Sequence, residues 1–159
     1  MKDMGVNAIR TSHNPADEDF IDLCNKLGLL VIEEAFDAWT YPKNGNRNDF
    51  SKYFNTRLTS DNKILGGNSS MTWSEYVIRS MTGRDRNDPS IIMWSICNEV
   101  SQGGNSDSTY GTIADNVIDW INSVDNTRPV TCGDISKPTS DNTNDWYFAI
   151  VYYCHIFIH

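Results

Sequence analysis

The chain has 159 residues, of which 39% are apolar and 21% charged, enough to bury one core and so to form one domain or one piece of a larger domain. Its formal net charge of -8 argues against nucleic acid or an anionic membrane as a partner, because an acidic surface attracts neither. A neutral substrate such as a sugar is compatible with that balance, and the 11% aromatic content suits a carbohydrate site as well as an ordinary core.

Met1 to Met4 followed by Gly5 reads as a last helical turn with its glycine stop. Val6 to Ser12 is predicted as a strand, with His13-Asn14-Pro15 at its C-terminal end. Pro15 is expected to open a helix in which Asp17, Glu18 and Asp19 suit the positive end of the dipole. Phe20, Leu23, Cys24 and Leu27 give that helix an apolar stripe, and Gly28 closes it. A second strand over Leu29 to Ile32 runs into Glu33-Glu34-Ala35-Phe36-Asp37-Ala38-Trp39; the two glutamates alternate in direction, so at most one faces the interior. Thr40 to Met71 is polar and rich in Asn and Gly, far beyond a usual connection of about four to six residues, and is expected to be disordered or a mobile wall of a site. Thr72-Trp73-Ser74-Glu75 fits a capping box, opening a helix whose inner face is predicted to carry Trp73, Tyr76, Val77, Ser80 and Met81.

The most informative stretch is Asp88 to Val100. An Ile-rich run that begins after a proline and ends in Asn98-Glu99 reads as a buried parallel strand delivering a polar pair at its C-terminal tip. Carboxyl groups at such tips are partly desolvated, the condition under which a carboxyl keeps its proton and serves as a general acid. A Gly/Ser/Asn loop follows to Gly111, then a helix from Thr112 with Ile113, Val117, Trp120, Ile121 and Val124 on one side, then a strand over Arg128 to Gly133. Strands alternating with helices point to an α/β fold with a parallel sheet.

Cys24, Cys97, Cys132 and Cys154 form no CxxC pair and are expected to be small core residues rather than a disulfide frame or a zinc site. No charged segment followed by an apolar run opens the chain, so no signal peptide is expected. From Trp146 to His159 every residue is apolar, aromatic or His, too short a run for a helix crossing a bilayer, which needs about 20 residues. Residues 135–159 are thus an anomalous tail: a fifth strand, or a truncated or frameshifted end.

Three segments together resemble the catalytic barrel of glycoside hydrolase family 2, and within it the β-galactosidases. They are Met4 to Pro15, Gly28 to Trp39 and Arg86 to Val100. The resemblance covers residues 1–134 and implies a partial (β/α)8 TIM barrel of about four βα units and a carbohydrate substrate; no metal or other cofactor is expected. It implies that Glu99 is the general acid/base and that Asn98 hydrogen-bonds the sugar 2-hydroxyl. Arg10, His13 and Asn14 correspond to a strand-end group that lines the site floor and orients carboxylates, with an Arg paired to a buried acid and a His satisfied in the core as the plain alternative. Asp37 and Trp39 correspond to sugar-contacting residues, with a solvated loop acid and a packed Trp as the plain alternatives. The family's nucleophile glutamate lies on a later strand, and no matching segment follows Gly133, so the chain looks like a piece of the enzyme that is inactive in isolation. β-Glucuronidase, β-mannosidase and a non-catalytic carbohydrate-binding remnant remain as alternatives.

Overall fold

The structure is a computed structural model, and it describes residues 1–64, 66–100 and 107–133. Its centre is a four-stranded parallel sheet in the order β1 (Ala8–Arg10), β2 (Leu30–Glu34), β3 (Ile91–Asn98) and β4 (Val130–Gly133). Helix α1 (Glu18–Leu27) links β1 to β2; α2 (Ser51–Phe54) and α3 (Trp73–Asp85) link β2 to β3; α4 (Asp107–Asn122) links β3 to β4. Each strand pairs with the next one along the chain, the arrangement of successive βα units in a parallel barrel.

β3 is central because its sequence suits burial on both faces: Trp94, Ser95, Ile96 and Cys97 are all at most 1% exposed. In register, Glu34 lies opposite Ser95 and Glu33 opposite Trp94, so each pair shares a face. The first pair looks into the barrel side and the second toward the helices. Ser95 and Asn98 are three residues apart, which a regular strand would put on opposite faces. The register shift between them against β4 brings both to the same cluster.

Several elements sit differently from the pattern-based expectation. α1 starts at Glu18, not at Pro15, because Asp17 caps it by accepting from the Asp19 N–H at 3.0 Å. Its buried residues are Ile21 and Cys24, while Leu23 and Leu27 of the expected stripe are exposed. α3 is capped by Thr72 as expected, but it buries Ser74, Ile78, Met81, Thr82 and Asp85 and leaves Ser80 outside. α4 begins at Asp107, five residues before Thr112.

The long connection from Thr40 to Met71 is more ordered than its composition suggests. It contains a short 3-10 turn at Lys43–Gly45, helix α2, and isolated bridges pairing Arg57 with Thr72 and Asn62 with Gly67. Phe50 and Phe54 pack on Phe36, each with ring centroids 5.3 Å away, which anchors the loop to the core. The cysteines also need correction. Cys97 and Cys132 are joined as a disulfide between the neighbouring strands β3 and β4, with Cα atoms 5.2 Å apart, whereas Cys24 is a free, buried core thiol as expected. The tail at 135–159, Cys154 included, lies outside the described residues.

Candidate active site

The last residues of the four strands, Arg10, Glu34, Asn98 and Gly133, form one layer at the C-terminal tips. Glu34, fully buried, is the anchor. Its Oε2 accepts from Arg10 Nε at 2.7 Å and Ser95 Oγ at 2.7 Å and lies 2.6 Å from Arg10 Nη2, while its Oε1 pairs with His13 Nδ1 at 2.5 Å. Burying a carboxylate is tolerable only with such a set of charged and neutral donors. The layer holds together because Arg10 reaches further: Nη2 also donates to Asn98 Oδ1 at 2.9 Å. Glycine at position 133 makes room for it. A Cβ there would lie 2.4 Å from Arg10 Nη2, so any larger residue must displace the guanidinium.

Asn98 is held at both ends of its amide. With Oδ1 taken by Arg10, its Nδ2 donates to Asp37 Oδ1 at 3.0 Å, which fixes the amide's orientation. Asp37 Oδ1 also accepts from Lys43 Nζ at 2.6 Å. Partial burial pushes the Asp37 carboxyl up, but the hydrogen bonds from Lys43 and Asn98 and the nearby positive charge outweigh it and hold the group below its ordinary range. Glu99 follows at once. Its backbone takes the left-handed conformation, φ 47°, and its N–H donates to Gly133 O at 2.5 Å. A non-glycine residue in this region costs about 1–2 kcal/mol, and such positions cluster where function demands an unusual side-chain direction.

Of the residues singled out from the sequence, Arg10, His13, Asn98, Glu99 and Asp37 therefore gather at the strand tips. Asn14 is exposed beside them. Trp39 lies apart: it is fully buried, its Nε1 donates to Ile96 O at 3.1 Å, and it packs against Tyr110 and Phe54. It takes the packed alternative. Sequence reading assigned no role to Glu34, Ser95, Lys43 or Gly133. For Glu34 the available signal was its position at the end of a strand, two residues beyond the register partner of Arg10.

Glu33 faces the other way. Its Oε1 accepts from Ala16 N at 3.1 Å and lies 3.4 Å from Arg84 Nη2, and Arg84 in turn pairs with Asp85 at 2.6 Å. Burial, with the Asp85 carboxylate beside it, pushes the Glu33 carboxyl up to about 9. A carboxyl that keeps its proton is able to donate to the Asp85 carboxylate beside it.

Among the described residues no group of His, Cys, Asp and Glu could hold a metal ion, and no helix is long and apolar enough to cross a membrane. Parallel βα units whose tips carry an Asn-Glu pair over one fully buried carboxylate, Glu34, have the layout of a slice of a glycoside hydrolase barrel. The chain belongs to glycosyl hydrolases family 2: residues 1–155 match the TIM barrel domain of that family. It is 31% identical to β-galactosidase BoGH2A of Bacteroides ovatus, with 89% of this chain aligned to 18% of that protein. Among solved structures, a glycosyl hydrolase family 2 member from Bacteroides cellulosilyticus superposes with a TM-score of 0.69 at 35% identity, over 91% of this chain and 16% of that one. A β-D-glucuronidase of Dictyoglomus thermophilum gives 0.60 at 30% identity, over 86% and 21%. The chain thus spans about a fifth or less of the relatives it matches.

Proposed function

We propose that this chain is the part of a retaining β-galactosidase that carries the acid/base, Glu99, and that the carboxylate nucleophile comes from a later strand of the complete enzyme. The observation that carries the reading is the clamped amide of Asn98 beside Glu99 at the tip of β3. A retaining glycosidase needs a proton donor about 5–5.5 Å from its nucleophile and contacts to the sugar 2-hydroxyl that strengthen in the transition state. With Oδ1 engaged by Arg10 and one Nδ2 hydrogen by Asp37, Asn98 has its second Nδ2 hydrogen left to donate to that hydroxyl.

In the first step Glu99 protonates the glycosidic oxygen while the nucleophile attacks the anomeric carbon. In the second, the resulting Glu99 carboxylate removes a proton from water as it attacks the glycosyl ester. Glu34, Arg10 and His13 hold the floor beneath. Asp37, whose side chain is half-exposed, accepts from a sugar hydroxyl.

A neutral galactoside is favoured over a uronide because the cations at the strand tips are already paired: Arg10 and His13 with Glu34, Lys43 with Asp37. Among the described residues none of them is left to receive a substrate carboxylate. The test is kcat/KM of the complete enzyme with aryl β-galactoside, β-glucuronide and β-mannoside. The galactoside is expected to lead by at least about 100-fold, in line with the discrimination available to sites built around polar contacts. A leading glucuronide or mannoside would reassign the specificity.

A further inference from the structure

We infer that Lys43 is a positioning residue for the sugar site: through Asp37 it sets the orientation of Asn98 and the direction in which the Asp37 carboxylate meets a sugar hydroxyl. The inference rests on the glycosidase reading above and extends it to a residue of the long β2–α3 connection.

Lys43 is 8% exposed, and desolvating an ammonium is costly unless it is paired. Its partner is Asp37, at 2.6 Å, whose side chain is 43% exposed. A buried cation holding a half-exposed carboxylate is an unusual use of lysine. If stability alone were served, both charges would gain by moving to water. The lysine's backbone is fixed independently, since its N–H donates to Asp49 Oδ2 at 3.1 Å and Asp49 Oδ1 in turn accepts from Ser51 N at 3.0 Å. The ammonium therefore arrives from an anchored turn.

Asp37 Oδ1 takes both Lys43 Nζ and Asn98 Nδ2. With Oδ1 occupied, Oδ2 is the oxygen left for substrate. The chain of contacts continues from Asn98 to Arg10 and on to Glu34, so a movement of Lys43 is felt at the residue next to Glu99. Without the ammonium, one hydrogen bond from Asn98 would be all that restrains Asp37 among these contacts. The carboxylate could then swing, and the Asn98 amide would lose the acceptor that fixes which way it faces.

The experiment compares the complete enzyme with Lys43→Met, Lys43→Arg, Asp37→Asn and the Lys43→Met/Asp37→Asn double variant, measuring kcat and KM for an aryl β-galactoside. Lys43→Gln replaces Lys43→Met if the latter does not fold. Lys43→Met is expected to lose about 10- to 100-fold in kcat/KM, since a misplacement of about 1 Å at a positioned group can by itself cost about 100-fold. KM should carry much of that loss, and Lys43→Arg should restore most of it. In the Asp37→Asn background the same change should cost less than about 3-fold, because neighbours acting through one contact are not additive. A full, multiplicative loss in the double variant would show that Lys43 acts through general stability, and an unchanged Lys43→Met would remove it from the site. Either result overturns the inference. A wild-type enzyme without glycosidase activity would instead overturn the function on which it rests.

Discussion

Arg10 and Glu34 form the joint on which the strand tips turn: the guanidinium of one meets the fully buried carboxylate of the other through both Nε and Nη2, at 2.7 and 2.6 Å. Because Nη2 continues to Asn98, removing Arg10 has two consequences. Arg10→Met should destabilise the fold by about 3 kcal/mol, since it strands a buried carboxylate. Arg10→Lys should fold better yet lose activity, because an ammonium cannot span Glu34 and Asn98 in the fork geometry of a guanidinium. Urea unfolding and kcat/KM of the two variants check this pair of outcomes.

Gly133 enters the same joint from β4. Gly133→Ala should lower kcat/KM of the complete enzyme at least about 10-fold, by pushing Arg10 off its partners and misplacing Asn98. The same change at Gly28, where a Cβ meets nothing within 4 Å but φ is 64°, should cost stability alone. Activity measured at matched folded fraction separates the two.

On the helix side, Glu33 makes stability fall with rising pH. Its folded carboxyl titrates near 9 and its ordinary value is 4.5, so between those limits the folded state binds more protons than the unfolded one. The sign follows: the full contribution is present below about 4.5 and is lost progressively as pH rises through 9. Glu33→Gln, which keeps an acceptor on one atom and a donor for Asp85 on the other, should flatten that slope. Urea titrations from pH 5 to pH 9 on the complete enzyme would show it, and an unchanged slope would place the proton elsewhere.

Much of this was legible before the structure. The alternation of elements, the buried character of Ile91 to Cys97 and the placement of Asn98-Glu99 at a strand tip follow from local pattern, and each is where expected. What pattern could not supply was contact between distant elements. The Cys97–Cys132 disulfide depends on β3 and β4 being neighbours across 35 residues of chain, which spacing alone does not reveal. The polar composition around Lys43 concealed the Phe36, Phe50 and Phe54 packing that folds this loop back onto the tips. The faces of α1 and α3 were off by about one residue for the same reason, while α4 buries Val117 and Ile121 as expected. Propensity marks a stripe, but the sheet decides which side it buries.

In isolation the chain should not turn over a β-galactoside. β1 and β4 are edges of the described sheet, and Leu23, Leu27, Leu30 and Ile92 are exposed, so association is the expected outcome for the purified piece. Retaining chemistry also requires both carboxylates. Light scattering and an assay against the Glu99→Gln form of the same piece check this; turnover that Glu99→Gln abolishes would show that the proposed later strand is dispensable.

The most direct test of the account is Glu99→Gln in the complete enzyme, measured on a series of aryl β-galactosides of graded leaving-group ability, with and without azide. If Glu99 is the acid/base, glycosylation by substrates with good leaving groups should be nearly spared, and that by poor ones should fall by about 100-fold or more, because only the latter need the proton. Azide, which attacks without a general base, should then restore turnover of the good substrates and yield the β-galactosyl azide. An equal loss across the series, with no effect of azide, would contradict the assignment of Glu99.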